Sequence, residues 1–285
     1  MAKIKKNFVV AADAGHGLGT TGKRCMKTLD PNETREWIMN DRVARAFQER
    51  AAAYEGLVVV RVDDCTGRTN VPLQQRVELA NAIGADLYWS AHHNAGLNGQ
   101  DRPGRHDGGI VAYCSRGSTR SPEWRDAIYD ASIAAGGIKG DRTEPKARAD
   151  WYVCKHTNMP AVLMEYGFMD SPEDVPIILD PEYSRRMGYA AADAVAKKAG
   201  LKLREQQESA ATPTIYRQLG EIPAGDLQNA AAALMACGAL QGWGDERGLD
   251  LGVEDLRHIA MMRRYVDWAV ANAMADPVPE IADEE

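Results

Sequence analysis

The sequence predicts a three-layer α/β sandwich, with a mixed, largely parallel central sheet flanked by helices and a small helical module after it. Two observations predict this. Short apolar runs alternate with helix-period segments through the first two-thirds of the chain, as strands alternate with crossover helices. The runs are also apolar throughout, not only at every second residue, which suits a sheet covered on both faces.

Asn7–Ala12 is the first such run and ends in a turn cluster. Thr34–Ala53 is amphipathic, with Ile38, Val43, Ala46 and Phe47 at helical spacing. Leu57–Val62 is β-branched and apolar, and Pro72–Ile83 returns to helical periodicity. Leu87–Ala91, Gly109–Tyr113 and Ala161–Glu165 read as further strands. Ser121-Pro122-Glu123 opens a helix, with serine as N-cap and proline at the first helical position. Asp180-Pro181 opens another in the same way, running to about Lys198. These elements make residues 1–203 one domain.

Composition then shifts. Residues 204–214, with the run EQQESAATPT, are polar and read as a linker. Residues 215–275 carry two helical patterns, Gly225–Cys237 and Val253–Met274, and predict a small helical module. Residues 276–285 are acidic with two prolines in DPVPEIADEE nearby, and predict a disordered tail.

The bulk numbers exclude several classes. A formal net charge of −7 leaves no basic footprint for nucleic acid, and Lys3, Lys5 and Lys6 are too few to change that. No apolar run approaches the roughly 20 residues of a membrane span. The basic start of MAKIKKNFVVAADAGHG precedes too short an apolar stretch for a signal peptide, so the expectation is a protein not exported by the usual route. Five scattered cysteines without a CxxC argue against a disulfide framework or a cysteine metal site, and predict inert thiols.

Three chemically loaded segments follow three strands: Asp13-Ala14-Gly15-His16-Gly17, His92-His93-Asn94-Ala95 and Glu165-Tyr166-Gly167-Phe168. Sites in open α/β sheets form beyond the carboxyl ends of the strands. Parallel strands would bring His16, one of His92 and His93, and Glu165 together. Histidines and carboxylates are what zinc takes when it works as a catalyst, and a further carboxylate can take a proton from water. The glycines around His16 match neither GxGxxG nor GxxxxGK[ST], so a phosphate loop is not indicated. Successive strand residues face opposite sides, so only one of the paired histidines should meet His16. A glutamate closing the apolar run at Glu165 is costly unless it is paired or used.

DAGHG, a glutamate opening a helix, SAHHNA and PAVLMEYGF together resemble the zinc-dependent N-acetylmuramoyl-L-alanine amidases, in the branch shared by bacterial autolysins and phage endolysins. The resemblance runs from about Asn7 to Leu201. It implies His16, Glu36 and His92 as zinc ligands, His93 turned away, and Glu165 as the catalytic carboxylate. Glu33 competes with Glu36 as the second ligand. The implied reaction cleaves the amide between muramic acid and L-alanine in peptidoglycan. Ala14 and Ser171 stand where the family often has proline and asparagine. Asn94 and Arg142 are expected to touch substrate, with Lys146 a further candidate for its carboxylates. The polar segment 98–108 reads as a surface loop, and His106 within it is left out of the site.

The expected setting is a phage lysin that collects in the host cytoplasm until lysis and then degrades the wall, an antimicrobial activity. The alternatives are a non-catalytic wall-binding protein on the same fold and a zinc hydrolase of another amide. Residues 215–275 loosely resemble a segment that follows the catalytic domain in some endolysins, which implies wall targeting or self-association. Deleting residues 205–285 is expected to preserve hydrolysis of soluble fragments and to weaken co-sedimentation with purified walls. Equal pelleting by both forms would remove the targeting role.

Overall fold

The computed structural model describes residues 7–97, 99 and 108–204, and the backbone of 215–216 and 251–252. The chain divides into two compact units, Met1–Glu205 and Gln206–Glu285. In the second, Ile215–Tyr216 pairs antiparallel with Leu251–Gly252. The helical patterns at 225–237 and 253–274 and the acidic tail lie outside the described residues.

The first unit is the predicted α/β sandwich. In chain order its elements are β1 (Phe8–Ala14), α1 (Glu36–Ala51), β2 (Leu57–Arg61), α2 (Leu73–Ala82), β3 (Leu87–Asn94), β4 (Val111–Cys114), α3 (Ser121–Ala134), β5 (Lys146–Arg148), α4 (Tyr152–His156), β6 (Ala161–Phe168), α5 (Val175–Ile178) and α6 (Pro181–Lys198). The sheet runs β2-β1-β3-β6-β4-β5. Strands β2, β1, β3 and β6 are mutually parallel, and β4 turns antiparallel to β6, so the sheet is mixed and largely parallel. The carboxyl ends of β1, β3 and β6 therefore lie side by side at one edge.

Each face has its own cover. Val10, Ala12, Trp89, Val162 and Met164 pack under α1, α3 and α6, with Phe47 of α1 stacked on Trp89 at 4.4 Å. The alternate residues face the other way, where α2 packs with α4 and Arg76 of α2 meets Asp13. The continuously apolar strands follow from this double cover.

Several boundaries differ from the sequence expectation. Helix α1 starts at Glu36, not near Thr34, because the Asp30 carboxylate accepts the N–H groups of Asn32 and Thr34 and holds that stretch as a turn. Ser121 is not an N-cap: it is the first residue of α3, Ser118 Oγ accepts its N–H, and its own hydroxyl accepts the N–H of Ala161. Asp180 does cap α6, accepting the Glu182 N–H at 2.9 Å. Strands β3 and β6 continue past their apolar runs into polar residues, because the ladder still pairs His92 with Glu165 and Asn94 with Phe168. The basic edge strand β5 carried no apolar signal, which is how edge strands resist pairing with other chains.

Helices α1 and α6 touch closely at Gly188. A Cβ there would meet the Val43 carbonyl, with Ala46 Cβ at 2.6 Å and Phe47 N at 2.7 Å. Alanine is the better helix former by about 1 kcal/mol, but overpacking against backbone costs about 1–3 kcal/mol. Gly188→Ala is expected to lower the thermal midpoint; an unchanged or raised midpoint would show that the two helices separate freely.

Candidate functional site

The site is built where β1, β3 and β6 end. Gly15 follows β1, and its N–H donates to the Ala91 carbonyl at 3.0 Å, keeping the chain against β3. A Cβ on Gly15 would run into the His92 ring, so only glycine fits there. His16 comes next with φ of 67°, a left-handed conformation unusual for a side-chain-bearing residue. Its carbonyl is held by Arg76 Nη2 at 2.9 Å.

Glu36, the first residue of α1, is 1% exposed. Its carboxylate stands between the two histidines, with Oε2 3.4 Å from His16 Nε2 and Oε1 3.1 Å from His92 Nδ1. Oε1 also accepts the His93 N–H at 3.2 Å and lies 3.3 Å from Asn40 Nδ2. The His16 and His92 rings are perpendicular, with centroids 5.0 Å apart. Glu165 lies on β6 directly across from His92, in the same pocket. Its Oε2 is buried with no hydrogen-bond partner among the described residues.

The electrostatics separate the two carboxylates. Burial alone would raise Glu36, but the His92 hydrogen bond, the charges of His16 and His92 and the His93 N–H hold it at about 2. Glu165 is pushed up to about 7 by burial, helped by the nearby charge of Glu36 and opposed by His92 and Lys23. Burial brings His16 down to about 4, so its ring is neutral near pH 7 and able to donate a lone pair. For His92, burial is outweighed by the hydrogen bond and charge of Glu36, and its value is raised.

One ligand atom each from His16, Glu36 and His92 lies within 4.8 Å of the others. Metal–ligand bonds of about 2.0–2.1 Å in a tetrahedron place neighbouring ligand atoms roughly 3.3 Å apart. The two Glu36 oxygens lie 3.4 Å from His16 Nε2 and 3.1 Å from His92 Nδ1, one to each ring, and the donors are of the type zinc accepts. The three side chains therefore fit a zinc ion. Glu165, beside His92 on the next strand, lines the same pocket.

The other sequence candidates sort as follows. Glu33 stands outside α1 and pairs with Arg24 at 2.9 Å, so the helix brings Glu36 to the cluster instead. His93 turns away from the ligand cluster, as expected, and is buried with its Nδ1 2.8 Å from Asn40 Oδ1, behind Glu36. Asn94 lines the pocket and accepts the N–H of Ala95. Arg142 is not among the residues that line the pocket; its guanidinium lies 4.8 Å from the Phe168 ring centre. Lys146 is drawn instead to Asp130, at 2.7 Å. His106 lies outside the described residues. The cysteines expected to be inert include Cys25 and Cys154, both free and pushed up to about 12 by burial.

The family resemblance placed Asn40 after Glu36 without a role; it bridges Glu36 and the Gly15 carbonyl, and sequence reasoning missed the buried Arg76–Asp13 pair altogether. It also missed Lys23, which lines the pocket from the β1–α1 loop. The alternation Tyr88, Ser90, His92 was a readable signal for Asp13's partners, since residues two apart share a face.

A family model described as N-acetylmuramoyl-L-alanine amidase matches residues 10–197. The N-acetylmuramoyl-L-alanine amidase CwlM of Bacillus licheniformis is 26% identical over 190 residues, 66% of this chain and 68% of that protein. The endolysin of Bacillus phage SPP1 is 33% identical over 132 residues, so the match spans just under half of each protein, 46% in both. Among solved structures, the catalytic domain of CwlV from Bacillus (Paenibacillus) polymyxa superposes with a TM-score of 0.59 at 22% identity, over 68% of this chain and 99% of that one. An N-acetylmuramoyl-L-alanine amidase from Clostridium difficile 630 gives 0.60 at 22%, over 69% and 98%. These structures share the fold of the first unit.

The Glu165 environment gives a signature separate from catalysis. The folded chain keeps this carboxyl protonated up to about pH 7, against an ordinary 4.5. The folded state thus binds more protons between those values, and stability falls as pH rises through them. Glu165→Gln removes that loss. In metal-free protein its stability relative to wild type is expected to grow by on the order of 2–3 kcal/mol from about pH 4 to about pH 8. A flat difference in denaturant unfolding would mean that the carboxylate is well solvated.

Proposed function

The chain belongs to the N-acetylmuramoyl-L-alanine amidase family, and we propose that it hydrolyses the amide joining the lactyl group of muramic acid to L-alanine in peptidoglycan, with zinc as its metal. One observation carries this reading: a histidine–glutamate–histidine cluster shares its pocket with a second glutamate that keeps its proton to about 7.

His16, Glu36 and His92 would hold the ion. Zinc bound there supplies a Lewis acid that polarises the amide carbonyl and makes water a better nucleophile. Glu36 is ionised at any ordinary pH and His16 is neutral, so the cluster meets a cation with one negative charge and a free lone pair. Asn40 and His93, behind Glu36, keep its carboxylate turned toward the histidines. Glu165 has an unpaired oxygen, and a dication close by stabilises its ionised form. In the reaction it takes a proton from the attacking water as the C–O bond forms. It returns that proton to the alanine nitrogen as the C–N bond breaks, and the water's second proton also ends on the amine, so the products are a lactyl carboxylate and an ammonium group. Asn94 lines the pocket, and it and Arg142 would contact the substrate.

We read the biological role as that of an endolysin, supported by the likeness to the phage SPP1 protein. Such a protein collects in the host cytoplasm and reaches the wall at lysis. No helix among the described residues is long and apolar enough to cross a membrane. Residues 215–275, beyond the family match, are proposed to target the wall or to associate with a second copy.

Purified peptidoglycan treated with the wild type is expected to release stem peptides that begin with L-alanine, identified by mass spectrometry. Chelator should stop release, and Glu165→Gln should slow it by roughly 10²–10⁴-fold. Release of sugar fragments alone, or undiminished release by Glu165→Gln, would overturn the assignment.

A further inference from the structure

We infer that Tyr113 and Trp151 form an aromatic corner that binds the sugar rings of the glycan strand, next to the Glu165 pocket. The inference rests on the amidase reading above and adds where the glycan side of the substrate lies.

The sheet register places Tyr113. Strand β4 runs antiparallel to β6, with Val111 opposite Glu165 and Tyr113 opposite Leu163. Residues two apart on a strand share a face, so Tyr113 projects from the same face as Glu165 and His92. It stands one diagonal step from Glu165, about 7–8 Å by sheet geometry. Two interactions join it to the pocket. The Asn94 side chain is close enough to favour its ionised form, while burial and the nearby charge of Glu165 raise its pKa.

Trp151 extends the surface outward. Its ring meets that of Tyr113 at 84°, with centroids 5.8 Å apart, and it is 48% exposed. A large aromatic side chain half in water is informative when its backbone is fixed, and this one is. Its carbonyl accepts the N–H groups of Cys154 and Lys155, at 2.9 and 3.0 Å. The preceding Asp150 carboxylate accepts Arg116 N–H at 3.0 Å and the Ser115 hydroxyl at 3.1 Å, just beyond β4. The backbone that carries the indole is thus held by its own carbonyl and by the residue before it.

The chemistry selects a sugar. Aromatic faces are electron-rich, and a pyranose presents polarised C–H groups on its faces and hydroxyls around its edge. Two rings at a right angle offer such a face a flat support and a side wall. The Tyr113 and Asn94 polar groups lie at its inner end, toward the scissile bond. Rigid aromatic surfaces also give up little side-chain entropy on binding.

The test compares two substrates: a soluble peptidoglycan tetrasaccharide carrying stem peptides, and a sugar-free lactoyl peptide with the same amide. In Trp151→Ala the ratio of kcat/KM for the first to that for the second is expected to fall about tenfold, through KM. Trp151→Phe should restore most of it. An unchanged ratio would overturn the assignment, including when activity falls equally on both substrates, since a purely structural role lowers both alike. If wild type cleaves neither substrate, the amidase reading fails, and a second measurement still decides the shelf. Calorimetric binding of the peptide-free tetrasaccharide should be lost in Trp151→Ala; equal affinity for both proteins, or no binding to wild type, would overturn it.

Discussion

The site depends on a buried charge pair that never enters the pocket. Arg76, on α2, is 1% exposed, and a guanidinium removed from water is tolerable only when its donors are used. They are taken by the Asp13 carboxylate, the carbonyls of Val71, Ala14 and His16, and Asn70 Oδ1. Asp13 in turn accepts the hydroxyls of Tyr88 and Ser90 from β3. One ionic cluster therefore joins the exit of β1 to α2 and β3. It also holds His16 in a left-handed conformation that costs an ordinary residue about 1–2 kcal/mol. Without that support, the first histidine would have no reason to face Glu36.

From this anchor the two carboxylates acquire opposite characters. Glu36 lies among donors and is held ionised, while Glu165, across the pocket on β6, has burial and few partners and is held toward its protonated form. Environments that push like groups apart are how a fold assigns one to binding and the other to proton transfer. The division comes from where the chain delivers each residue. Glu36 arrives at a helix start beside two histidines, and Glu165 arrives on a strand that faces only the second of them.

Much of this was legible in the sequence because it follows from periodicity. Apolar runs gave the strands, and the loaded residues just beyond them gave His16, one of His92 and His93, and Glu165, since parallel strands end together; the choice of His92, like that of Glu36, came from the family resemblance. What was not legible has physical causes. Strand ends were set too early because hydrophobicity stops at Ala91 while backbone pairing does not. The start of α1 depended on Asp30 as a turn-former, which competes with the helix through local hydrogen bonds. Arg76 reads as an ordinary exposed position on an amphipathic helix, and only the Asp13 carboxylate brought to it across 63 residues makes it internal. Lys146 and Arg142 were equivalent as sequence, and only their neighbours separate them: Asp130 for one, the Phe168 ring for the other.

The expectation that His93 turns away from the ligand cluster holds because β3 keeps its alternation to its end: His92 joins His16 and Glu36, while the next ring is buried against Asn40. The irregularity lies instead on the neighbouring strand. Between His92 and Asn94 the β3 strand advances two residues while β6 advances three, from Glu165 to Phe168. The extra residue lies at Tyr166–Gly167, and Gly167 has φ of 136°, with Ile178 Cγ2 2.6 Å from where a Cβ would sit. Bulges of this kind re-aim side chains at sheet edges. Phe168 is turned to the face that carries Glu165, where the Arg142 guanidinium covers it. At the end of β3, three consecutive residues serve one site from two sides of the strand. His92 joins the metal-type cluster and Asn94 lines the pocket, while His93 on the opposite face braces Glu36 through Asn40, so plain alternation gives the carboxylate a ligand partner in front and a support behind.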